Sequence, residues 1–432
     1  MRTLIIEPNC EGQSHVSVNS GFIEREVSSD PTTLITFIGE PEHLRYCMEA
    51  LSTTVSDKVE WHPLKSGVSD TEDLTEDVVD ILKSKTVTKI LALSQSPRIR
   101  WAEVRRQAGY DLPIQIVLHG ELEMLNAGAN KSRDRPVRRS LRVKLLALKM
   151  EVNVFGIFNT WKYRTAIIRM SLSGRIRSSS RIRSPRTHLP ELDARQQLEE
   201  LRMQRISAVI LSEHIFENAK PLLPEGLACE LVTMPMPWSS RPRQGSNTGA
   251  RCDSVVTLGV YGHGGAFIDQ LYDQLGSTLD GDMEFGGLRI LHISMNVYGA
   301  IGVPGVECVH PNRIIPRPAM IRLGMSCDAL VYPHLTDEYQ LSCSLVPFEA
   351  LWLGVPLLGL RAQPLETLSE ICPAFVKMFD TLPSLLLYLR ECLADSTELK
   401  QRKRECEGSF PELVRQLQGP AFNRPLTPAY GP

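Results

Sequence analysis

The sequence predicts an α/β protein with two domains of similar size, each built on a parallel β-sheet. Three observations support this prediction. The chain has 432 residues, which is long for a single domain. Short apolar runs alternate with helical patterns of about 10–15 residues, as in βαβ units. A segment rich in Ser, Arg, Gly and Pro at 239–251 is typical of a linker and separates two such series.

In the first half, the predicted strands are short and rich in Val, Ile and Leu, which is typical of a buried parallel sheet. These strands cover residues 3–7, 33–39, 58–62, 88–93, 114–119, 206–211 and 229–234. Helices are predicted from the turn at 11–15 to about residue 26, and over 41–51, 71–84 and 213–222. Pro41 stands in the first turn of one of them, where proline is favoured.

The second half repeats the pattern. Its predicted strands cover residues 254–259, 288–294, 328–332 and 355–360, and its helices cover 266–275, 316–325, 346–353, 383–393 and 396–417. We therefore expect a first domain over 1–240, a linker over 241–253, a second domain over 254–417 and a Pro- and Gly-rich tail over 418–432. Ligands of such domains bind at the carboxyl ends of the strands, so the cleft between the domains is the expected site.

The charge is distributed unevenly along the chain. Residues 131–186 contain 16 Lys and Arg and two acids, a net charge of +14 in a chain whose net charge is −2. A basic segment of this kind indicates a polyanionic partner or an anionic membrane surface, and a solvated loop is the alternative. Nucleic acid is disfavoured as a partner because the sequence contains no recognised nucleic-acid-binding motif.

Cysteine spacing and hydropathy point to the cytoplasm. No apolar run reaches the length of a transmembrane helix, and the first apolar stretch is too short for a signal peptide. The ten cysteines show no CxxC pair and no metal-type spacing with histidine, which favours reduced thiols. We expect a cytoplasmic protein, peripheral at the inner face of the membrane if the basic segment binds the anionic leaflet.

The most informative segment, 328–360, combines a strand, a polar loop, a helix, a Gly-x-Pro turn and a second strand. Ser342 and Ser344 precede the helix, whose free N–H groups and positive dipole end suit a diphosphate. Glu349 follows within the helix, where a carboxylate can accept hydrogen bonds from a ribose diol. The pattern alone is equally consistent with a serine cap and a surface glutamate.

This segment resembles the retaining GT-B glycosyltransferases, specifically the large family-four group, through Glu349-Ala350-Leu351 and Gly354-Val355-Pro356. The resemblance implies two Rossmann-like, doubly wound domains that face each other across a cleft. It also implies that a glutamate holds the donor ribose and that loop amides before it hold the diphosphate. The donor-binding candidates on this basis are His334, Tyr339, Ser342, Cys343, Ser344, Leu345 and Glu349.

Two features depart from the family pattern. Leu341 stands where the family has its first glutamate, and serines replace the loop glycines. In addition, the loop after the first strand of the second domain lacks the Arg and Lys that neutralise the diphosphate in the family. Gly262, His263 and Gly264 are the candidates in that loop. Three explanations are open: His263 acts with loop amides, a basic residue arrives from elsewhere, or donor chemistry has been lost.

The first domain contributes two further candidate segments. Gly12, Gln13 and His15 follow the first strand, where GT-B enzymes place a loop that meets donor phosphate and acceptor; an ordinary strand–helix turn is the alternative. His119 and Glu121 follow the strand at 114–119. Similar bacterial transferases have a His-Gly pair on the acceptor side at this point. His119 would position the acceptor hydroxyl or touch the donor sugar, and a buried core histidine is the alternative.

The resemblance implies a hexosyltransferase of polysaccharide biosynthesis that uses a nucleoside diphosphate sugar and retains its configuration. The acceptor would be a glycan, a lipid-linked precursor or a small molecule, and the catalytic candidates are His119, Glu121 and His263. No cofactor and no metal is expected, because no DxD-type cluster stands in a suitable place. Two alternatives are a catalytically inactive GT-B-like binding protein and a non-hydrolysing nucleotide-sugar epimerase.

Overall fold

The computed structural model describes residues 1–64, 73–118, 122–123, 190–242, 255–261, 266–279, 287–293, 303, 305–309, 315–334 and 339–426. The basic segment 131–186 and most of the predicted linker 241–253 lie outside these residues. Residues 1–123 and 195–432 form one compact unit, and residues 124–194 form a second.

The first sheet has eight strands in the spatial order β14-β7-β6-β5-β4-β1-β2-β3. Its strands are β1 (Arg2–Ile6), β2 (Leu34–Gly39), β3 (Val59–Pro63), β4 (Lys89–Ala92), β5 (Ile114–Val117), β6 (Ser207–Ile210), β7 (Cys229–Val232) and β14 (Asn423–Leu426). All neighbours pair in parallel except β14, which is antiparallel to β7. The six inner strands are almost continuously buried, as expected for a parallel sheet covered on both faces, whereas the edge strands β3 and β14 are partly exposed.

The second sheet has six parallel strands in the order β10-β9-β8-β11-β12-β13. They are β8 (Val256–Tyr261), β9 (Leu288–Ile293), β10 (Val306–Cys308), β11 (Ala329–Val331), β12 (Leu357–Leu360) and β13 (Val376–Phe379). Numbered within the sheet, these strands have the 3-2-1-4-5-6 order of a doubly wound Rossmann fold, and the first sheet has the same order extended by its last two strands, β7 and β14.

Helices connect the strands. The described ones are α1 (Val16–Ser29), α2 (Pro41–Ala50), α3 (Thr53–Ser56), α4 (Thr75–Ser84), α5 (Trp101–Ala108), α6 (Pro190–Met203), α7 (Glu213–Ala219), α8 (Ala266–Leu279), α9 (Arg317–Ser326), α10 (Val346–Leu353), α11 (Gln363–Ile371), α12 (Leu382–Ala394) and α13 (Thr397–Leu417). Short 3₁₀ turns cover Lys220–Leu222 and Trp238–Ser240. Within the described residues, no helix is long and apolar enough to span a bilayer.

The end of the chain returns to the first sheet. After α13, residues 423–426 form β14, although the sequence predicts a tail over 418–432. Asn423 fixes the turn because its side-chain amide donates to the carbonyls of Leu417 (2.8 Å) and Gly419 (3.1 Å). Pro425 is tolerated because β14 is an edge strand, where one face of the backbone needs no ladder partner.

The core follows from the apolar strands and the apolar helix faces that cover them. The nine cysteines among the described residues are free thiols, and seven of these are buried. One close backbone approach packs α1 against the segment that follows β7. A Cβ added at Gly21 of α1 would lie 2.4 Å from the carbonyl carbon of Pro235, in the segment that follows β7. Glycine is therefore required for α1 to pack on that segment.

Candidate functional site

Both sheets reverse their strand order at one point, and ligands of doubly wound folds bind in the crevice outside the carboxyl ends of the strands there. In the first sheet this point lies between β1 and β4, and in the second it lies between β8 and β11. The loop after β1, residues 7–15, and the described residues after β11, 332–334 and 339–345, therefore occupy the expected positions. Both loops contain residues that the sequence predicts as candidates.

A buried glutamate organises the loop after β1. Glu7 is only 2% exposed. Its carboxylate accepts hydrogen bonds from the backbone N–H groups of Asn9 (2.9 Å) and Cys10 (3.2 Å). It also accepts from the Ser94 hydroxyl (3.0 Å) and the Asn19 amide (3.0 Å). Four donors around one carboxylate fix the start of this loop, because a buried charge requires such partners.

His43 continues the network to the predicted glycine. Its Nδ1 donates to the carbonyl of Gly12 (2.9 Å), and its Nε2 accepts from the side-chain amide of Asn19 (2.9 Å). Glu40 caps α2 and also accepts from the Gly12 N–H (3.3 Å). Gly12 has φ +51°, a left-handed conformation that glycine adopts without strain. Both polar atoms of the Gly12 backbone are thus held by α2.

The neutral form of His43 satisfies both of these hydrogen bonds, and burial lowers the pKa of its imidazole from 6.5. A lowered folded-state pKa means that the unfolded chain binds a proton first as pH falls. We therefore predict that stability is full above pH 6.5 and falls below it, by up to about 1.4 kcal/mol per pH unit. Urea unfolding between pH 5.5 and 8 measures this slope. The slope should be smaller in His43→Gln, and an unchanged slope in that variant would refute the assignment.

Glu349 lies in the first turn of α10 and faces the first sheet's half of the molecule. Its carboxylate accepts a hydrogen bond from the hydroxyl of Ser17 (3.4 Å), near the start of α1. Burial raises the pKa of Glu349, while the charge of Arg317 and the Ser17 hydrogen bond lower it in part. The pKa of the Tyr261 hydroxyl, at the end of β8, is raised mainly by burial and further by the negative charge of Glu349.

Arg317 is a cation that the sequence analysis did not single out. It is the first residue of α9, and its Nη1 donates to the Ser17 hydroxyl (2.7 Å). Its backbone N–H donates to the side-chain oxygen of Gln13 (3.0 Å), and its guanidinium lies 5.2 Å from the ring centre of Trp352. Burial lowers its pKa, yet an arginine stays protonated at neutral pH. We call Ser17, Arg317 and Glu349 the Glu349 cluster.

Residues 339–345, which we call the donor loop, contact the part of the chain that forms the first sheet, here called the first half, at several points. The hydroxyl of Ser342 donates to the carboxylate of Glu123. His214 and Asn218 of α7 bind the backbone carbonyls of Tyr339 and Gln340. The loop ends at Leu345, the residue before α10.

Aromatic and thiol side chains complete the loop. Tyr339 has a left-handed φ of +60°, and its ring packs at 4.3 Å, edge to face, on His334. His334 in turn lies 5.1 Å from the ring of Tyr332. Cys343 has a thiol whose pKa burial raises to about 12, so it is not a thiolate nucleophile at neutral pH. His334 is thus packed beside the donor loop, on the side predicted for the donor.

A small cavity lies beside the donor loop. It measures about 40 Å³ and is lined on one side by Ser212, His214 and Thr233 and on the other by Ser344 and Phe348. A cavity of this size holds one or two water molecules, whereas a nucleotide sugar needs several hundred Å³. The halves must separate at this point if a ligand is to enter here.

The structure therefore brings Gln13 into contact with Arg317 of the Glu349 cluster, and it joins Gly12 to the hydrogen-bond network of His43 and Glu40. His15 lies exposed at the end of the same loop, with φ +53°. The predicted catalytic residues His119, Glu121 and His263 lie outside the described residues, as do Gly262 and Gly264. Ser17, Arg317 and Glu123 join the site through contacts that no sequence motif signals.

Comparison with solved structures identifies the architecture. A glycosyltransferase from Rickettsia africae ESF-5 matches with a TM-score of 0.52 at 9% identity, over 96% of this chain and 95% of that chain. Anabaena Alr3699/HepE, solved in complex with UDP-glucose, matches with a TM-score of 0.50 at 12% identity, over 96% and 98%. The chain has the GT-B fold.

Other comparisons add little to this GT-B assignment. A putative UDP-N-acetylglucosamine 2-epimerase from Listeria monocytogenes matches with a TM-score of 0.48 at 10% identity, over 96% of this chain and 94% of that chain. No protein-family model matches the sequence, and no curated protein matches it. The GT-B fold prediction is confirmed, while the family-four and retaining assignments rest on the sequence motif alone.

Proposed function

We propose that this GT-B protein binds a nucleoside diphosphate sugar between its two sheets and transfers the hexose, with retention, to a glycan, lipid-linked or small-molecule acceptor. The observation that carries the proposal is the Glu349 cluster, which places a carboxylate and a guanidinium together between the two halves. The UDP-glucose complex of Alr3699/HepE, which shares the fold, supports this class of donor.

Glu349 would bind the ribose of the donor. Its present partner is the Ser17 hydroxyl at 3.4 Å, a long hydrogen bond that a vicinal diol can replace with two shorter ones. Hydrogen bonds to a charged acceptor contribute about 1.5–3 kcal/mol each when water is excluded. The partial burial of the carboxylate therefore favours a hydroxyl-bearing ligand over bulk water.

The diphosphate would bind at the amino end of α10. The N–H groups of the donor loop precede this helix, and its dipole adds positive potential there. Arg317 adds a full charge beside Glu349, which favours the explanation that a basic residue arrives from elsewhere in the sequence. Amides and a cation at the leaving diphosphate stabilise the charge that develops as the glycosidic bond breaks, and no metal is required for this.

The acceptor side would be formed by the first half. His119 and Glu121 follow β5, next to Leu122 and Glu123, and His263 follows β8 in the second half. We assign to His119 the positioning of the acceptor hydroxyl and to His263 a contact with the donor. Transfer with retention would depend mainly on holding the acceptor hydroxyl against the anomeric carbon on the side from which the diphosphate leaves, and such positioning can supply several kcal/mol of the barrier reduction.

An epimerase is the second candidate, and one observation favours it. Glu123 contacts Ser342, so an acid stands against the donor loop where it can face the sugar. Epimerisation at a sugar carbon needs an acid and a base that move a proton, and a glutamate can do this when it lies within hydrogen-bond reach. Glycosyl transfer does not need Glu123 in that role.

Product analysis separates the candidates. The full chain is incubated with UDP-glucose, UDP-N-acetylglucosamine or GDP-mannose, with and without a panel of acceptors, and followed by ¹H NMR. Transfer predicts free nucleoside diphosphate and a new anomeric signal with the donor's configuration, only when an acceptor is present. Epimerisation predicts a new nucleotide-sugar signal without any acceptor, lost in Glu123→Gln. No new signal with any donor would favour the inactive binding protein and overturn the proposal.

A further inference from the structure

The donor loop of the second half is held by side chains of the first half. His214 Nε2 donates to the carbonyl of Tyr339 (3.3 Å), and the side-chain amide of Asn218 donates to the carbonyl of Gln340 (3.0 Å). Both side chains belong to α7, which follows β6 of the first sheet. Two consecutive peptide carbonyls of the loop are thus bound by two residues one helical turn apart.

Each of these side chains is itself fixed. The Ser212 hydroxyl donates to His214 Nδ1 (2.8 Å), which leaves the proton on Nε2, where it points to the Tyr339 carbonyl. Burial lowers the pKa of His214, so this neutral tautomer is the one present at neutral pH. The second proton of the Asn218 amide is donated to the Gln363 side chain (3.0 Å) at the start of α11. The two donors are therefore preorganised.

The loop conformation needs such support. Tyr339 has φ +60°, which is unfavourable for a residue with a Cβ and persists only where the surrounding structure imposes it. The carbonyls of Tyr339 and Gln340 are the groups that α7 binds, and the amides that follow them lead directly to α10. Fixing the two carbonyls also fixes the N–H groups of Gln340 and Leu341, because each carbonyl shares one rigid peptide plane with the N–H that follows it.

We propose that His214 and Asn218 are positioning residues that hold the donor loop in its ligand-binding conformation from the opposite half of the molecule. The consequence for a ligand rests on the proposed function: diphosphate affinity would depend on α7, although α7 need not touch the donor. The order of the loop in the free protein does not rest on that function, so the two ideas can be tested apart.

Hydrogen–deuterium exchange of the full chain without ligand tests the positioning role. Asn218→Asp keeps the shape but replaces the donor by an acceptor, and His214→Ala removes the other donor. Both should raise exchange of the amides in 340–346 by about tenfold, the effect of losing one hydrogen bond. His214→Gln, which can still donate, should restore slower exchange. Glu217→Gln, on an exposed position of α7, is the matched control and should leave exchange unchanged.

Titration with UDP then links the loop to the ligand. We expect Asn218→Asp and His214→Ala to weaken UDP binding by about tenfold, while Glu217→Gln binds like the wild type. Faster exchange in the variants, with neither UDP nor GDP bound by the wild type, would uphold the positioning role and count against the proposed function. Unchanged exchange in both variants would overturn the positioning role, whether or not UDP binds. Exchange in α12, remote in sequence from the substitutions, serves to exclude global unfolding.

Discussion

Replacing Arg105 with Met is expected to lower the free energy of unfolding by about 3 kcal/mol. Arg105 lies in the last turn of α5 and is only 1% exposed. Its guanidinium donates to four backbone carbonyls, those of Gln204 (2.8 Å), Gly109 (3.0 Å), Leu112 (2.6 Å) and Arg205 (2.9 Å). These carbonyls belong to the turns that enter β5 and β6, so one side chain fixes two connections of the first sheet.

Methionine fills a similar volume but leaves all four carbonyls without this donor. Arg105→Lys keeps the charge but cannot reproduce the planar fork, so we expect a smaller loss, about 2 kcal/mol. Urea unfolding followed by circular dichroism measures both variants. Arg106→Met is the control on the same helix, since the Arg106 side chain is 78% exposed. A loss for Arg105→Met as small as that of this control would contradict the account.

The second large effect is expected at Arg317. Arg317→Ala should weaken UDP-sugar binding by about 10–100-fold, which corresponds to about 1.4–2.7 kcal/mol. The substitution removes a half-buried cation beside Glu349 and the hydrogen bond to Ser17. Loss of the positive charge should also raise the pKa of Glu349 further, because Arg317 now holds that pKa down in part. Both changes disfavour a bound diphosphate and its ribose.

Arg317→Lys separates charge from geometry, because lysine keeps the charge but loses the planar, multiple donors. We expect an affinity between those of the wild type and Arg317→Ala. Arg322→Ala is the control, since Arg322 lies on the same helix and is exposed. Calorimetric titration gives the affinities. If Arg317→Ala and Arg322→Ala bind alike, the guanidinium has no part in donor binding.

Local pattern in the sequence predicted the fold well because parallel sheets carry strong local signals. The helix at 346–353 has the predicted bounds, and β8, β9 and β12 lie within about two residues of theirs. By contrast, β10 and β13 were not predicted, since strands of three or four residues at or near sheet edges contain few apolar positions. The strand β14 was also missed, because its pairing partner β7 lies far away in sequence.

The candidate site was predicted only in part. Glu349 and the donor loop stand out in the sequence because helix starts and Gly-x-Pro turns are local features. Ser17 and Arg317 do not, because the cluster forms through the contacts of Ser17 with Arg317 and Glu349, which lie some three hundred residues away in sequence. Glu7 is visible in the sequence only as a charged residue at the end of an apolar strand. The four groups that donate hydrogen bonds to its carboxylate are brought together by the tertiary fold.

The most direct test of the account is calorimetric titration of the full chain with UDP, GDP and their glucose and mannose derivatives. It should be made in parallel on Glu349→Gln and on Glu370→Gln, an exposed glutamate of α11. The account predicts one binding site selective for one nucleotide, at least tenfold weaker in Glu349→Gln and unchanged in Glu370→Gln. Absence of binding by the wild type, or equal binding by Glu349→Gln, would contradict a nucleotide-sugar site at the Glu349 cluster.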